Sequence, residues 1–231
     1  VVSSDFFFLW NVPRKVPPFS TSTAWCSTLK RSTRSFGARS ARASSPDFPI
    51  LSIAVKGQTL RSIEETYFSG PEREADYCWL KQALEDFEKQ MRYDFVPGAD
   101  VFLRELREAG VKTAMATSSD HKKMDSVLAK RPDFETLFDA CITSEDVQHS
   151  KPAPDCFVLA AERLGARPQA CIVFEDSLNG LKAGRASGAY VVGLATTLPM
   201  ADVAALADEA IPNFADAATR KRLIERIINY Q

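Results

Sequence analysis

Histidine, cysteine and net charge are all scarce in this sequence, and each shortage argues against a class of function. There are two histidines in 231 residues, His121 and His149, too isolated to suggest a metal cluster. The five cysteines, Cys26, Cys78, Cys141, Cys156 and Cys171, are odd in number, widely spaced and free of any C-x-x-C. That argues against a disulfide framework or a zinc site and suits a reducing cytosol. Lysine plus arginine (29) nearly balances aspartate plus glutamate (30), for a net charge of -1. Composition therefore gives no case for nucleic acid or an anionic membrane. No stretch is long and apolar enough to span a bilayer, and no internal repeat is present. The length permits one α/β domain with a small insert.

The most informative stretch present is Ala170–Gly184, A-C-I-V-F-E-D-S-L-N-G-L-K-A-G. An apolar run, Cys171–Phe174, stops at two adjacent acids, Glu175 and Asp176. Ser177 then opens a segment with helical spacing at Leu178, Leu181, Ala183 and Ala186. This is the pattern of a buried strand that delivers carboxylates to its C-terminal end, followed by a helix with serine at its start. Taken alone, an acidic surface turn fits equally well.

The surrounding chain favours the strand. Further strands are predicted at Val111–Ala116, Phe138–Thr143, Tyr190–Ala195 and Glu209–Ile211. Helices are predicted at Asp120–Lys130, Pro154–Leu164, Ser177–Ser187, Ala201–Ala207 and Ala217–Ile228. Alternation of this kind predicts an α/β fold with a doubly wound, parallel, Rossmann-like sheet. Ahead of it, Gly57–Phe68 reads as a short helix and Glu72–Arg92 as a long amphipathic one, with Trp79, Leu80, Leu84, Phe87 and Met91 on its core stripe. Ala99–Ala109 is a helix ended by Gly110.

Ligands bind open α/β sheets at the carboxyl edge of the strands, and three predicted strand ends are polar. Val111–Ala116 runs into Thr117-Ser118-Ser119-Asp120, where hydroxyls and free N–H groups suit an anion or simply cap a helix. Ser150-Lys151-Pro152-Ala153-Pro154 holds a lysine on a stiff loop; most single lysines are merely solvated. Glu175-Asp176 is the third. Hydroxyl, cation and paired carboxylates on one edge suit a phosphate with Mg2+.

In their order and spacing these motifs resemble the haloacid dehalogenase (HAD) superfamily of phosphohydrolases, in its β-phosphoglucomutase-like branch with a helical cap. Thr117 matches the second motif, Lys151 in S-K-P-x-P the third, and Glu175-Asp176 in F-E-D-S-x-N-G the fourth. The resemblance covers roughly Lys56 to the C-terminus. It implies Mg2+-dependent phosphoryl transfer through a phospho-aspartate, with Thr117 and Lys151 catalytic, Thr117, Ser118 and Lys151 on the phosphate, and Glu175 and Asp176 toward the metal. Lys56 and Gln58, at the start of the cap, are the candidates for substrate contact. The implied partner is a small phosphorylated metabolite such as a sugar phosphate, bound by a cytoplasmic monomer without nucleic acid or membrane.

The first motif of that family, D-x-D-G-[TV], supplies the nucleophile and the general acid/base, and this sequence has none. Upstream of the cap its only acids are Asp5 and Asp47. Residues 1–46 are instead rich in Ser, Thr and Arg, a composition that fits a transit peptide or disorder. The genetic code offers a third account. With permitted codons, reading Phe19–Gly37 from each codon's third base gives F-D-L-D-G-V-V-L-D-T-E-A-Q-Y-T-Q-F-W-G, the missing motif and the start of the cap. We therefore expect residues 1–50 to be an aberrant, out-of-frame and poorly ordered segment, 51–95 a partial helical cap, and 96–231 the α/β core. Little or no activity is expected of the chain as written, which leaves a catalytically dead, binding-only protein as the alternative. Losing the first strand is expected to leave its two neighbours unpaired unless apolar Val1–Val12, which has no firm register, fills the slot.

Overall fold

The computed structural model describes residues 7–11, 56–71, 74, 76–78, 81, 82 and 93–230. Of the segment 1–50 expected to be poorly ordered, all but residues 7–11 lies outside them, as does most of Glu72–Arg92; residues 74, 76–78, 81 and 82 of that stretch are helical.

The elements run β1 (Phe7–Asn11), α1 (Leu60–Tyr67), α2 (Ala99–Glu108), β2 (Lys112–Ala116), α3 (His121–Lys130), β3 (Ala140–Ile142), α4 (Asp155–Arg163), β4 (Ile172–Glu175), α5 (Leu178–Ser187), β5 (Tyr190–Leu194), α6 (Met200–Leu206), β6 (Glu209–Ile211) and α7 (Ala217–Asn229). Short 3-10 turns at Pro132–Leu137 and Pro168–Ala170 join α3 to β3 and α4 to β4. The sheet order is β3-β2-β1-β4-β5-β6. β2 with β3, β4 with β5 and β5 with β6 pair in parallel, through the helical crossovers that such pairs require.

Alternate residues of each central strand enter opposite cores, as a period of two demands. Ile172, Phe174, Val192, Leu194 and Met115 join one core with Phe102, Phe214 and Ile227. Val173, Val191, Ala114 and Ala116 join the other, with Phe157, Ala160, Leu181 and Val203. Helix layers thus cover both faces, which is why these strands read as continuous apolar runs. Side-chain caps fix the helix starts: Asp120 accepts from Lys123 N at 2.8 Å, Ser177 from Gly180 N at 3.0 Å and Asp216 from Thr219 N at 2.7 Å. At the start of α2, Gly98 has φ of 83°, and a Cβ there would lie 2.0 Å from the Phe214 carbonyl oxygen. Only glycine lets this turn lie against the loop before α7.

The expected bare neighbours of the first strand are not bare. β1 occupies the central slot between β2 and β4, but antiparallel to both: Phe7 faces Ala116, Asn11 faces Lys112, and Phe8 faces Phe174. Backbone ladders form in either polarity, so an apolar strand satisfies the N–H and C=O groups of β2 and β4 without matching the direction of the rest of the sheet. At the C-terminal ends of β2 and β4, the chain therefore presents the beginning of its central strand.

Candidate active site

The Thr117 loop is tied down by its own backbone. Its amide donates to Ile142 O at 2.8 Å and continues the β2–β3 ladder, while its hydroxyl accepts from Ser119 N at 3.0 Å. Thr117 is buried. The Ser118 hydroxyl donates to Gly57 O at 2.7 Å, so it holds the base of the cap.

Lys151, on the loop before α4, is buried and reaches across the sheet edge. Its Nζ donates to Ala116 O at 3.4 Å, one residue before Thr117, and to Glu175 Oε2 at 3.2 Å. The Phe157 ring supports the ammonium from 4.8 Å. One lysine thus links the ends of β2 and β4, the strands that flank β1.

Glu175 ends β4 with no exposed surface. Its Oε1 accepts the N–H groups of Asp176 at 3.0 Å and Ser177 at 2.8 Å. The carboxylate lies over Gly180, where a Cβ would sit 1.8 Å from Oε2. Burial pushes the Glu175 carboxyl up to about 7; Lys151 opposes that rise and Asp176 adds to it.

Asp176 is equally buried, and its Oδ2 collects three donors: Lys56 Nζ at 3.3 Å, Thr196 Oγ1 at 2.9 Å and Thr197 Oγ1. Lys56 also bonds Thr197 Oγ1. The Lys56 backbone is fixed by Asn179 Nδ2, which donates to its carbonyl at 2.9 Å. Next to it Gly57 has φ of 82°, and a Cβ there would meet Ser177 Oγ at 2.6 Å. Thr59 N donates to Ser150 Oγ at 3.3 Å, bringing the Lys151 loop to the same turn.

Of the predicted residues, Lys56, Lys151, Glu175 and Asp176 meet as two buried ion pairs at one sheet edge. Thr117 adjoins them through Ala116, and Ser118 through Gly57. Gln58 faces its own helix, its Oε1 accepting from Ser62 Oγ at 3.2 Å. Sequence reasoning gave no role to Thr196, Thr197 or Asn179. The hydroxyl pair just after β5 carried the same signal as Thr117, polar side chains at a strand's carboxyl end; Asn179 stood inside the F-E-D-S-x-N-G motif.

The acid pair is of the donor type that Mg2+ takes, but Mg2+ demands near-octahedral oxygen coordination. Here one lysine is matched to each carboxyl group. Among the described residues no group of three or more His, Cys, Asp and Glu side chains is placed to hold a metal. With Lys56 on Asp176, the described residues do not fit a divalent ion.

A family profile described as haloacid dehalogenase-like hydrolase matches residues 23–188. The chain belongs to the haloacid dehalogenase-like hydrolases. Curated relatives include the bifunctional riboflavin kinase/FMN phosphatase of Arabidopsis thaliana, 32% identical over 126 residues, covering 54% of this chain and 33% of that protein. Protein CbbY of Rhodobacter capsulatus is 32% identical over 128 residues, 54% of this chain and 56% of its own. Fructose-1-phosphate phosphatase YqaB of Escherichia coli is 41% identical over 75 residues, 32% and 39%. The matches therefore span only about a third to just over half of each relative's length. Among solved structures, β-phosphoglucomutase from Clostridium difficile superposes with a TM-score of 0.67 at 15% identity, covering 88% of this chain and 92% of that one. At that identity the likeness concerns the fold: an α/β sheet with flanking helices, which this haloacid dehalogenase-like hydrolase shares. Among the described residues no helix is long and apolar enough to cross a membrane.

Proposed function

We propose that this chain is a phosphate-monoester hydrolase scaffold for a small, sugar-phosphate-like metabolite, and that the polypeptide as encoded is impaired. The carrying observation is Lys151, whose Nζ lies 3.4 Å from Ala116 O and 3.2 Å from Glu175 Oε2. It puts a buried cation beside the Thr117 loop, where a phosphoryl group needs both charge and hydroxyl donors. Thr117 accepts from Ser119 N and keeps its own hydrogen to donate to a phosphoryl oxygen. Glu175 orients Lys151, and Asp176 with its threonines holds Lys56 at the base of the cap. Ser118 acts through the cap turn, and Gln58 contacts substrate only if it turns from Ser62. The names of the relatives, an FMN phosphatase and a fructose-1-phosphate phosphatase, support the substrate class.

Impairment is favoured by a specific observation. The sequence has no D-x-D-G, and the slot whose carboxyl end would carry it holds an antiparallel strand. The Mg2+ dependence implied by the resemblance belongs to a chain with that first acid. Cysteine usage supports a reducing cytosol, and the balanced charge gives no case for nucleic acid.

The test compares the encoded chain with one in which residues 1–50 are replaced by the translation of the same DNA in the shifted frame, both assayed for phosphate release from sugar phosphates and FMN with Mg2+ in the buffer. The restored chain is expected to turn over, and Asp176→Ala to abolish that turnover. The encoded chain is expected to be slower by several orders of magnitude, as when one member of a covalent catalytic unit is removed. Equal rates would refute impairment; inactivity of both chains on every monoester would refute the hydrolase reading.

A further inference from the structure

We propose that Lys56 is a resident cation of the acid pair, so that a divalent cation at Asp176 and the Lys56 turn on the core exclude one another. The inference goes beyond the hydrolase reading and holds whether or not the chain turns over a phosphate ester. Its starting point is charge. Two carboxylates end β4 side by side without solvent, an arrangement that is costly unless each charge is compensated. Lys151 from the α4 side compensates Glu175 at 3.2 Å, and Lys56 from the cap side compensates Asp176 at 3.3 Å. The side chains of Lys56 and Asp176 are 4% and 0% exposed, so water screens this pair little.

The lysine is placed by a built turn. Its carbonyl is held by Asn179, the next carbonyl by Ser118, and the amide of Thr59 by Ser150. The intervening Gly57 adopts φ of 82° in a space that no side chain would fit. Residues from β2's loop, the Lys151 loop and α5 therefore converge on Lys56, Gly57 and Thr59 at the cap base. Asn179 and Ser118 bond the backbone of the turn and have no charge to balance, so their geometry serves to hold the ammonium at Asp176. The same oxygen, Oδ2, takes the two threonine hydroxyls, which orients it toward the ammonium.

A divalent ion brought to Asp176 meets an ammonium within contact distance. One of the two must leave, because like charges a few ångströms apart in a desolvated site repel strongly. If Lys56 departs, the Gly57 turn loses the ion pair that seals it against the core. The cap base is then the element that reports cation binding. Where the ammonium holds Asp176 about nine-tenths of the time, the apparent affinity for a divalent ion falls about tenfold.

The test uses Mn2+ alone, followed by the paramagnetic signal of the free ion, with the full chain and with Lys56→Met, Lys56→Arg and the double variant Lys56→Met/Asp176→Asn. Lys56→Met is expected to tighten Mn2+ binding about tenfold or more, Lys56→Arg to leave it as in the wild type, and the double variant to lose the gain. Equal affinity of wild type and Lys56→Met, or a gain that survives Asp176→Asn, overturns the proposal. A second measurement needs no variant: amide hydrogen exchange of Gly57–Leu60 in the wild type with and without Mn2+. Binding that accelerates exchange there supports exclusion, as does no binding to the wild type where Lys56→Met binds; no binding to either overturns it. Binding with protection unchanged overturns it, even if the Lys56 variants fail to fold.

Discussion

Gly180→Ala sets two well-defined effects against each other at the heart of the site. Gly180 is the third residue of α5, and alanine in place of glycine within a helix stabilises by up to about 1 kcal/mol. Opposing this, the new methyl would sit 1.8 Å from Glu175 Oε2, 1.9 Å from its Cδ and 2.4 Å from Oε1. The carboxylate has little room to yield, since Oε1 is held by the amides of Asp176 and Ser177 and Oε2 faces Lys151. Overpacking costs about 1–3 kcal/mol, and each hydrogen bond to a charged group that breaks costs about 1.5–3 kcal/mol more. The clash outweighs the helix gain, for a net loss of about 3 kcal/mol and a fall in Tm of about 10 °C. Gly184→Ala is the internal control. Its methyl would meet Val191 Cγ2 at 3.0 Å and Val173 Cγ1 at 3.2 Å, contacts that small shifts relieve. Urea denaturation of the wild type and both variants reads the difference. If Gly180→Ala is as stable as the wild type, or no worse than Gly184→Ala, the account of a carboxylate seated on a bare helix turn is wrong.

Gly98→Ala combines a left-handed φ with a methyl 2.0 Å from the Phe214 carbonyl oxygen, and is expected to cost about 2–4 kcal/mol by the same denaturation assay; a neutral result would mean that the two loops part freely. Glu175→Gln addresses pH. The Glu175 carboxyl rises from 4.5 to about 7, chiefly by burial, so between these values the folded chain holds a proton that the unfolded chain releases. Wild-type stability therefore falls as pH rises through that window, by about 3 kcal/mol at most, and Glu175→Gln lacks that slope; parallel stability-pH curves would contradict the assignment. Sequencing the DNA across Phe19–Phe48 is expected to show a second open frame encoding D-L-D-G, and its absence would end the frameshift account.

Most of the sheet was legible because its strands are buried on both faces. Tyr190–Leu194 and Glu209–Ile211 lie within one residue of their predicted limits. β4 runs one residue further than its apolar run, to Glu175, because backbone N–H groups receive that acid. α1 begins at Leu60 and not at Gly57, since the left-handed Gly57 precedes the Thr59 cap, whose hydroxyl accepts from Ser62 N at 3.2 Å. The polarity of β1 was not legible: a run of apolar residues carries no direction, and both ladders satisfy the same backbone groups. In the site, Thr117, Lys151, Glu175 and Asp176 announced themselves as polar residues at strand ends. The partnership of Lys56 with Asp176 did not, because 120 residues separate them and only the closed fold brings them into contact.

The reversed central strand has a corollary for repair. Because Phe7 lies beside Ala116 and Asn11 beside Lys112, the chain enters β1 at the rim that carries the Thr117 loop and leaves it at the opposite rim. Acids added at the carboxyl end of this strand would face away from Thr117, Lys151 and Asp176. Restoring them to the site means turning the strand round as well as rewriting its sequence.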